Sequence, residues 1–120
     1  VVIRQGDIHW VDLGPPSGSG PGLLHPHVVV QNDVFNDSGI RTTVVCALTS
    51  SVGLGRAPGN VTLEDGEAGL PRASVVNVSQ IFTVDKDDLG ERIGSLPEVR
   101  LRQVLAGVAT VLEPRSVEDL

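Results

Sequence analysis

Three short stretches of this chain carry side chains that can move protons or recognise polar ligands. His25 and His27 flank Pro26, where a loop rich in glycine, proline and serine meets three consecutive valines, Val28 to Val30. Thr49, Ser50 and Ser51 follow a β-branched run that begins at Arg41. Arg72, Asn77, Gln80 and Phe82 lie in the third stretch. An imidazole changes charge between about pH 5 and 8, so His25 is suited to act as acid, base or switchable cation near neutrality. A hydroxyl at a strand end can donate to a developing oxyanion. Each residue also has a plainer reading: a solvated loop histidine, a turn-forming Thr-Ser-Ser cluster, a core phenylalanine. Residue type alone leaves these alternatives open.

The elements around these residues are short. Asp7 to Leu13 alternates Ile8 and Trp10 with more polar neighbours, as a half-buried strand does. A loop of about a dozen residues follows, and loops of that size inside compact domains are usually functional. His25 to Gln31 reads as a strand buried on both faces. Asp33 to Asn36 reads as one helical turn, Arg41 to Leu48 as a strand, and Asn60 to Leu63 as a short strand. Glu64 to Leu70 reads as a turn region, Ala73 to Val84 as one or two strands, Asp85 to Leu89 as a helical turn and Glu91 to Gly94 as a last strand.

The clearest helix comes last. Ser95 and Glu98 have capping-box spacing, and Pro97 is tolerated in a first turn. Leu101, Val104, Leu105, Val108, Val111 and Leu112 recur at helical spacing and define one apolar face. Pro114 marks the end. Many short strands with one terminal amphipathic helix give a mainly β, α+β class: a small, strongly curved antiparallel sheet or barrel carrying a helix. A single domain is expected over residues 1–113, with 114–120 as a flexible tail.

With 120 residues, 40% hydrophobic and 20% charged, the chain can build one core, and dimerisation would help so small a domain. The single cysteine, Cys46, cannot form an internal disulfide, and no apolar run reaches the roughly 20 residues of a membrane span. A cytoplasmic protein without membrane contact is expected. The net charge of −6 is the wrong sign for broad phosphate binding. The acids are clustered, however, at Glu64, Asp65 and Glu67, at Asp85, Asp87 and Asp88, and at the tail, which leaves room for a locally neutral groove. His25, His27, His9 and Cys46 lack the spacings that mark zinc sites, so neither metal nor cofactor is expected.

The stretch GDIHWVDLGPPSGSGPGLLHPHVVVQNDVFN resembles the start of the MazF/PemK (Kid) family of toxin endoribonucleases. That family commonly reads G-D-(I/V)-x-W-V-D-L-x-P, then G-S-E-Q-x-G-x-R-P-V-L-V-V-S-N-D-x-x-N. Further on, Pro71 to Ile81 resembles its L-P-(K/R)-D-S-V-V-x-x-x-Q-I segment. The resemblance covers nearly the whole chain. It implies the SH3-like barrel with a C-terminal helix shared by MazF, PemK and CcdB toxins. It also implies a homodimer that cleaves single-stranded RNA without a metal, by attack of the 2′-OH, and is blocked by an antitoxin segment in the RNA groove.

Carried over residue by residue, the resemblance gives catalytic roles to His25 and Thr49. It gives RNA-binding roles to Trp10, Ser19, His27, Ser50, Arg72, Asn77, Gln80 and Phe82. The chain departs from the family at informative places: Gly20 and Pro21 stand for Glu and Gln, His25 for an arginine, Ala73 for an aspartate and Phe82 for an arginine. These losses of charge keep a second reading in play, a non-cleaving module that binds an antitoxin peptide or, like CcdB, a gyrase-type target.

Overall fold

The structure, a computed structural model, describes residues 2–14, 24–115 and 118. Six strands and two α-helices follow in order: β1 Asp7–Asp12, β2 Leu24–Val29, α1 Asp33–Asn36, β3 Thr42–Thr49, β4 Val61–Leu63, β5 Ser74–Asp85, β6 Leu89–Ser95 and α2 Glu98–Leu112. All neighbours are antiparallel, and the sheet runs β4-β5-β3-β2-β1-β6. Every element expected from the sequence is present within a few residues of its expected place.

The barrel is not closed by strand pairing, because no ladder among the described residues joins β4 to β6. A short 3₁₀ turn, Glu67–Gly69, packs on β6 instead. There the Ala68 carbonyl lies so close over Gly94 that any side chain at that position would collide with it.

The valine run explains why the sheet has two apolar faces. Val28 and Val29 are wholly buried and Val30 is nearly so. Successive strand residues point to opposite faces, so a run buried throughout must have cover on both. Val28 and Val30 join Ile8, Cys46, Leu48, Val76, Val78 and Val104 in the core beneath α2. Val29 joins Ile3, Val11, Val45 and Val84 on the other face, flanked by Leu13, Phe82 and Leu89.

Residues 73–84 form one strand, bent rather than divided. Its pairing to β3 jumps from Cys46 opposite Ile81 to Ala47 opposite Asn77, which leaves Val78, Ser79 and Gln80 out of that ladder. The Val78 N–H donates instead to Asn60 Oδ1 at 2.9 Å.

The helix departs from expectation at both ends. Ser95 is the last residue of β6, and its hydroxyl donates to buried Asp7 Oδ1 at 2.5 Å, so it does not cap α2. Pro97 occupies the cap position without a side-chain bond, and Glu98 pairs with Arg102. Val104 is fully buried and Leu101, Leu105 and Val108 pack beside it, but Val111 and Leu112 are exposed. No helix among the described residues is long and apolar enough to cross a membrane.

Candidate functional site

Four separate segments meet at one end of the sheet. Trp10 of β1, Leu24, His25 and Pro26 at the start of β2, Thr49 and Ser50 at the end of β3, and Pro71, Arg72 and Ser74 before β5 line a cavity of about 240 Å³. Leu48 and Leu70 form its apolar floor as extensions of the main core. Antiparallel pairing produces this meeting. Trp10 lies opposite Pro26 and Val11 opposite His25, while His27 opposite Ala47 brings the start of β2 alongside the end of β3.

The cavity joins apolar walls to a few polar groups, the usual composition of a small-ligand or base-sized site. The lining named above contains no aspartate or glutamate, and Arg72 is its permanent cation. The acidic surplus lies elsewhere, as the clustering of acids in the sequence suggests.

Thr49 fills two parts at once. Its Oγ1 accepts the Ser51 N–H at 3.1 Å, the turn-forming contact expected of a Thr-Ser-Ser cluster. One of its two acceptor lone pairs is thereby used, and the hydroxyl proton stays available for an oxygen in the cavity. His25 is half-buried, and its backbone carbonyl takes the Nδ1 of His27 at 2.9 Å. Alternation along β2 and β3 places His25 and Thr49 on the same sheet face.

Other residues named from the sequence lie elsewhere. His27 has no exposed surface, so it does not contact a ligand in this conformation. Its burial follows from the alternation that buries Val29, and desolvation holds its imidazole below the usual histidine range. Phe82 packs against the second core and meets His27 edge-on, with centroids 5.9 Å apart, so it is no open stacking platform. Asn77 and Gln80 are half-buried at the two ends of the β5 irregularity, outside the cavity. Ser19, and the loop of residues 15–23 to which it belongs, lie outside the described residues.

Leu24, Pro26, Leu48, Leu70, Pro71 and Ser74 also line the cavity and could not be singled out from the sequence, since apolar and small residues carry no chemical signature until a fold assembles them. Cys46 lies on the sheet face opposite the histidines. Burial pushes the Cys46 thiol up to about 12. Among the described residues no three metal-ligating side chains converge.

A six-stranded antiparallel sheet carrying a C-terminal helix is the architecture of the PemK and MazF toxin class. The chain belongs to the family of PemK-like, MazF-like toxins of type II toxin–antitoxin systems, which it matches over residues 4–112. It is 42% identical over 113 residues to the endoribonuclease MazF6 of Mycobacterium tuberculosis, covering 94% of this chain and 99% of that one. It is 33% identical over 103 residues to the endoribonuclease MazF of Staphylococcus saprophyticus, covering 86% and 85%. The fold matches that of a mycobacterial endoribonuclease solved with its cognate antitoxin, with a TM-score of 0.76 at 23% identity over 95% of this chain and 98% of that one. MazF of Deinococcus radiodurans matches with a TM-score of 0.75 at 22% identity, over 93% and 97%.

Proposed function

We propose that this chain is the toxin of a toxin–antitoxin pair and cleaves single-stranded RNA in the cytoplasm as a homodimer. The observation that carries this reading is the convergence of His25, Thr49, Trp10 and Arg72 on one cavity free of acidic lining among the described residues. The cleavage joins the ribose 2′-oxygen to phosphorus and breaks the bond from phosphorus to the 5′-oxygen, leaving a cyclic phosphate. The 2′-OH loses a proton, the 5′-oxygen gains one, and charge builds on the non-bridging oxygens.

His25 supplies proton transfer or positive charge at that centre. Thr49 donates its free hydroxyl proton to a non-bridging oxygen, and Arg72 and Ser50 hold the strand at the rim. Trp10 offers its ring to a base, as aromatic side chains do with single strands. Asn77 and Gln80, at the β5 irregularity, read base edges through their amides where a longer strand runs along the sheet. An antitoxin segment that occupies this cavity and contacts the Gly14 to Leu24 loop silences the enzyme by exclusion.

The test is incubation of the purified chain with a long single-stranded transcript in EDTA, followed by end mapping. Discrete cuts leaving 5′-hydroxyl ends support the reading, and intact RNA overturns it. A non-cleaving module is not favoured, because relatives at 42% and 33% identity are named endoribonucleases.

A further inference from the structure

The sheet face that ends at His25 contains a buried imidazole that this chemistry does not use. His27 is fully enclosed, and its Nε2 has no hydrogen-bond partner. A hydrophobic residue would fill the place without that cost, because an unpaired buried polar group is destabilising. The structure shows what the ring does instead. Its Nδ1–H donates to the His25 backbone carbonyl at 2.9 Å, and the ring meets Phe82 in a T-shaped contact.

His25 stands at the second residue of β2, one residue inside the described boundary of the long loop. Its backbone is anchored on one side by the pairing of Val11 with His25. The ladder between β2 and β3 begins only at His27 opposite Ala47, so on the β3 side the His27 side chain supplies an anchor that the ladder does not.

The geometry points to His27 as a positioning residue: its Nδ1–H, braced by Phe82, fixes the His25 backbone and so the direction in which the His25 imidazole enters the cavity. This rests on the reading of His25 as a working group in RNA cleavage. The groups that face His27 leave the link largely free of competing charge. His25 neighbours it on its own strand, and His9 lies opposite on β1, its Nδ1 tied to the Gly90 carbonyl at 2.9 Å. Arg92 lies beyond His9 on β6 and is drawn to Asp7 at 3.4 Å, while Ala47 and Phe82 on the other side are uncharged.

The experiment compares His27→Leu, which removes the donor, with His27→Asn, which keeps an N–H donor near the position of Nδ1. Phe82→Leu removes the brace alone. Steady-state cleavage is measured together with the pH titration of the His25 ring by NMR in protein without RNA. His27→Leu is expected to lower kcat roughly 10- to 100-fold with little change in KM, since misplacing a reacting group costs that much. It should also displace the His25 titration midpoint, and His27→Asn should recover most of both. Phe82→Leu should move both readouts the same way by less.

Wild-type kcat with an unmoved His25 titration in His27→Leu would overturn the proposal. If that variant does not fold, the same result in Phe82→Leu overturns it. Should the wild type cut no RNA, the role of His25 in cleavage falls, and the His25 titration in the variants decides this inference by itself.

Discussion

Arg100 closes on Glu67 through two parallel hydrogen bonds, Nε to Oε2 and Nη2 to Oε1, each 2.9 Å long. The pair ties α2 to the turn that packs on β6, so it bridges the opening that strand pairing leaves in the sheet. Bidentate geometry and side chains only 26% and 24% exposed set it apart from a loose surface pair.

The Arg100 hydrogen bond, and after it the Glu64 N–H, hold the Glu67 carboxyl below its ordinary 4.5. Folding therefore favours the ionised form. The stabilisation is complete above 4.5 and is lost as the pH falls through the lower, folded-state value. Glu67→Gln should cost about 1 kcal/mol at neutral pH. Urea denaturation at a series of pH values should show the gap between variant and wild type closing in acid below 4.5.

A second prediction concerns how α2 reaches the sheet. Gly59, at a φ of +77°, approaches Gly107 so closely that a methyl group on Gly107 would meet the Gly59 carbonyl and come within 3.0 Å of Val78 Cγ1. Alanine is the better helix former by about 1 kcal/mol. The clash should win, and Gly107→Ala should destabilise by about 1–3 kcal/mol, the usual cost of overpacking. Chemical denaturation of the two proteins decides the sign.

These two contacts show where sequence reading stops. The strands, the short helical turn at Asp33–Asn36 and α2 were legible because hydrophobic period and turn residues are local signals. Ser95 misled because its spacing to Glu98 fits a cap, while its true partner, Asp7, is distant in sequence. Val111 and Leu112 keep the helical period yet are exposed, because periodicity does not report how much cover the rest of the fold supplies. At the site, His25, Thr49, Trp10 and Arg72 could be named before their geometry was known, but only family resemblance joined them. His27 was misplaced because a histidine two residues from His25 looks like a second surface ligand until the register shows it enclosed.

A third prediction uses the single tryptophan, which lines the cavity. An RNA strand with its 2′-OH groups replaced by hydrogen cannot be cut, and its binding should change Trp10 fluorescence. Arg72 is the cavity's permanent cation among the described residues, so salt should weaken binding only gently, with a log–log slope of roughly −1 per site. Arg72→Ala should flatten that slope and weaken affinity about 5- to 10-fold, the worth of one charge-assisted contact. A steep slope in the wild type would mean that other cations hold the strand.

The last prediction follows from the substitution with the clearest consequence for mechanism. The family pattern has an arginine where this chain has His25, and an arginine keeps its charge throughout the accessible pH range. An imidazole does not, so an enzyme that relies on His25 must show its titration in the rate. If His25 works as cation or general acid, kcat/KM falls as pH rises through the transition. If it works as general base, kcat/KM falls as pH drops. His25→Ala should abolish the transition and lower activity by roughly 100-fold or more, the scale of a lost acid–base group. His25→Arg separates the two roles, because a permanent cation restores charge stabilisation and flattens the profile but cannot accept a proton. Recovery with a flat profile assigns His25 as the phosphate cation, and a variant as inactive as alanine assigns it as a proton-transfer group, acid if the wild-type rate falls as pH rises and base if it falls as pH drops. Equal rates for wild type and His25→Ala across the pH series would return His25 to a solvated loop residue and move the chemistry to Thr49 and Arg72.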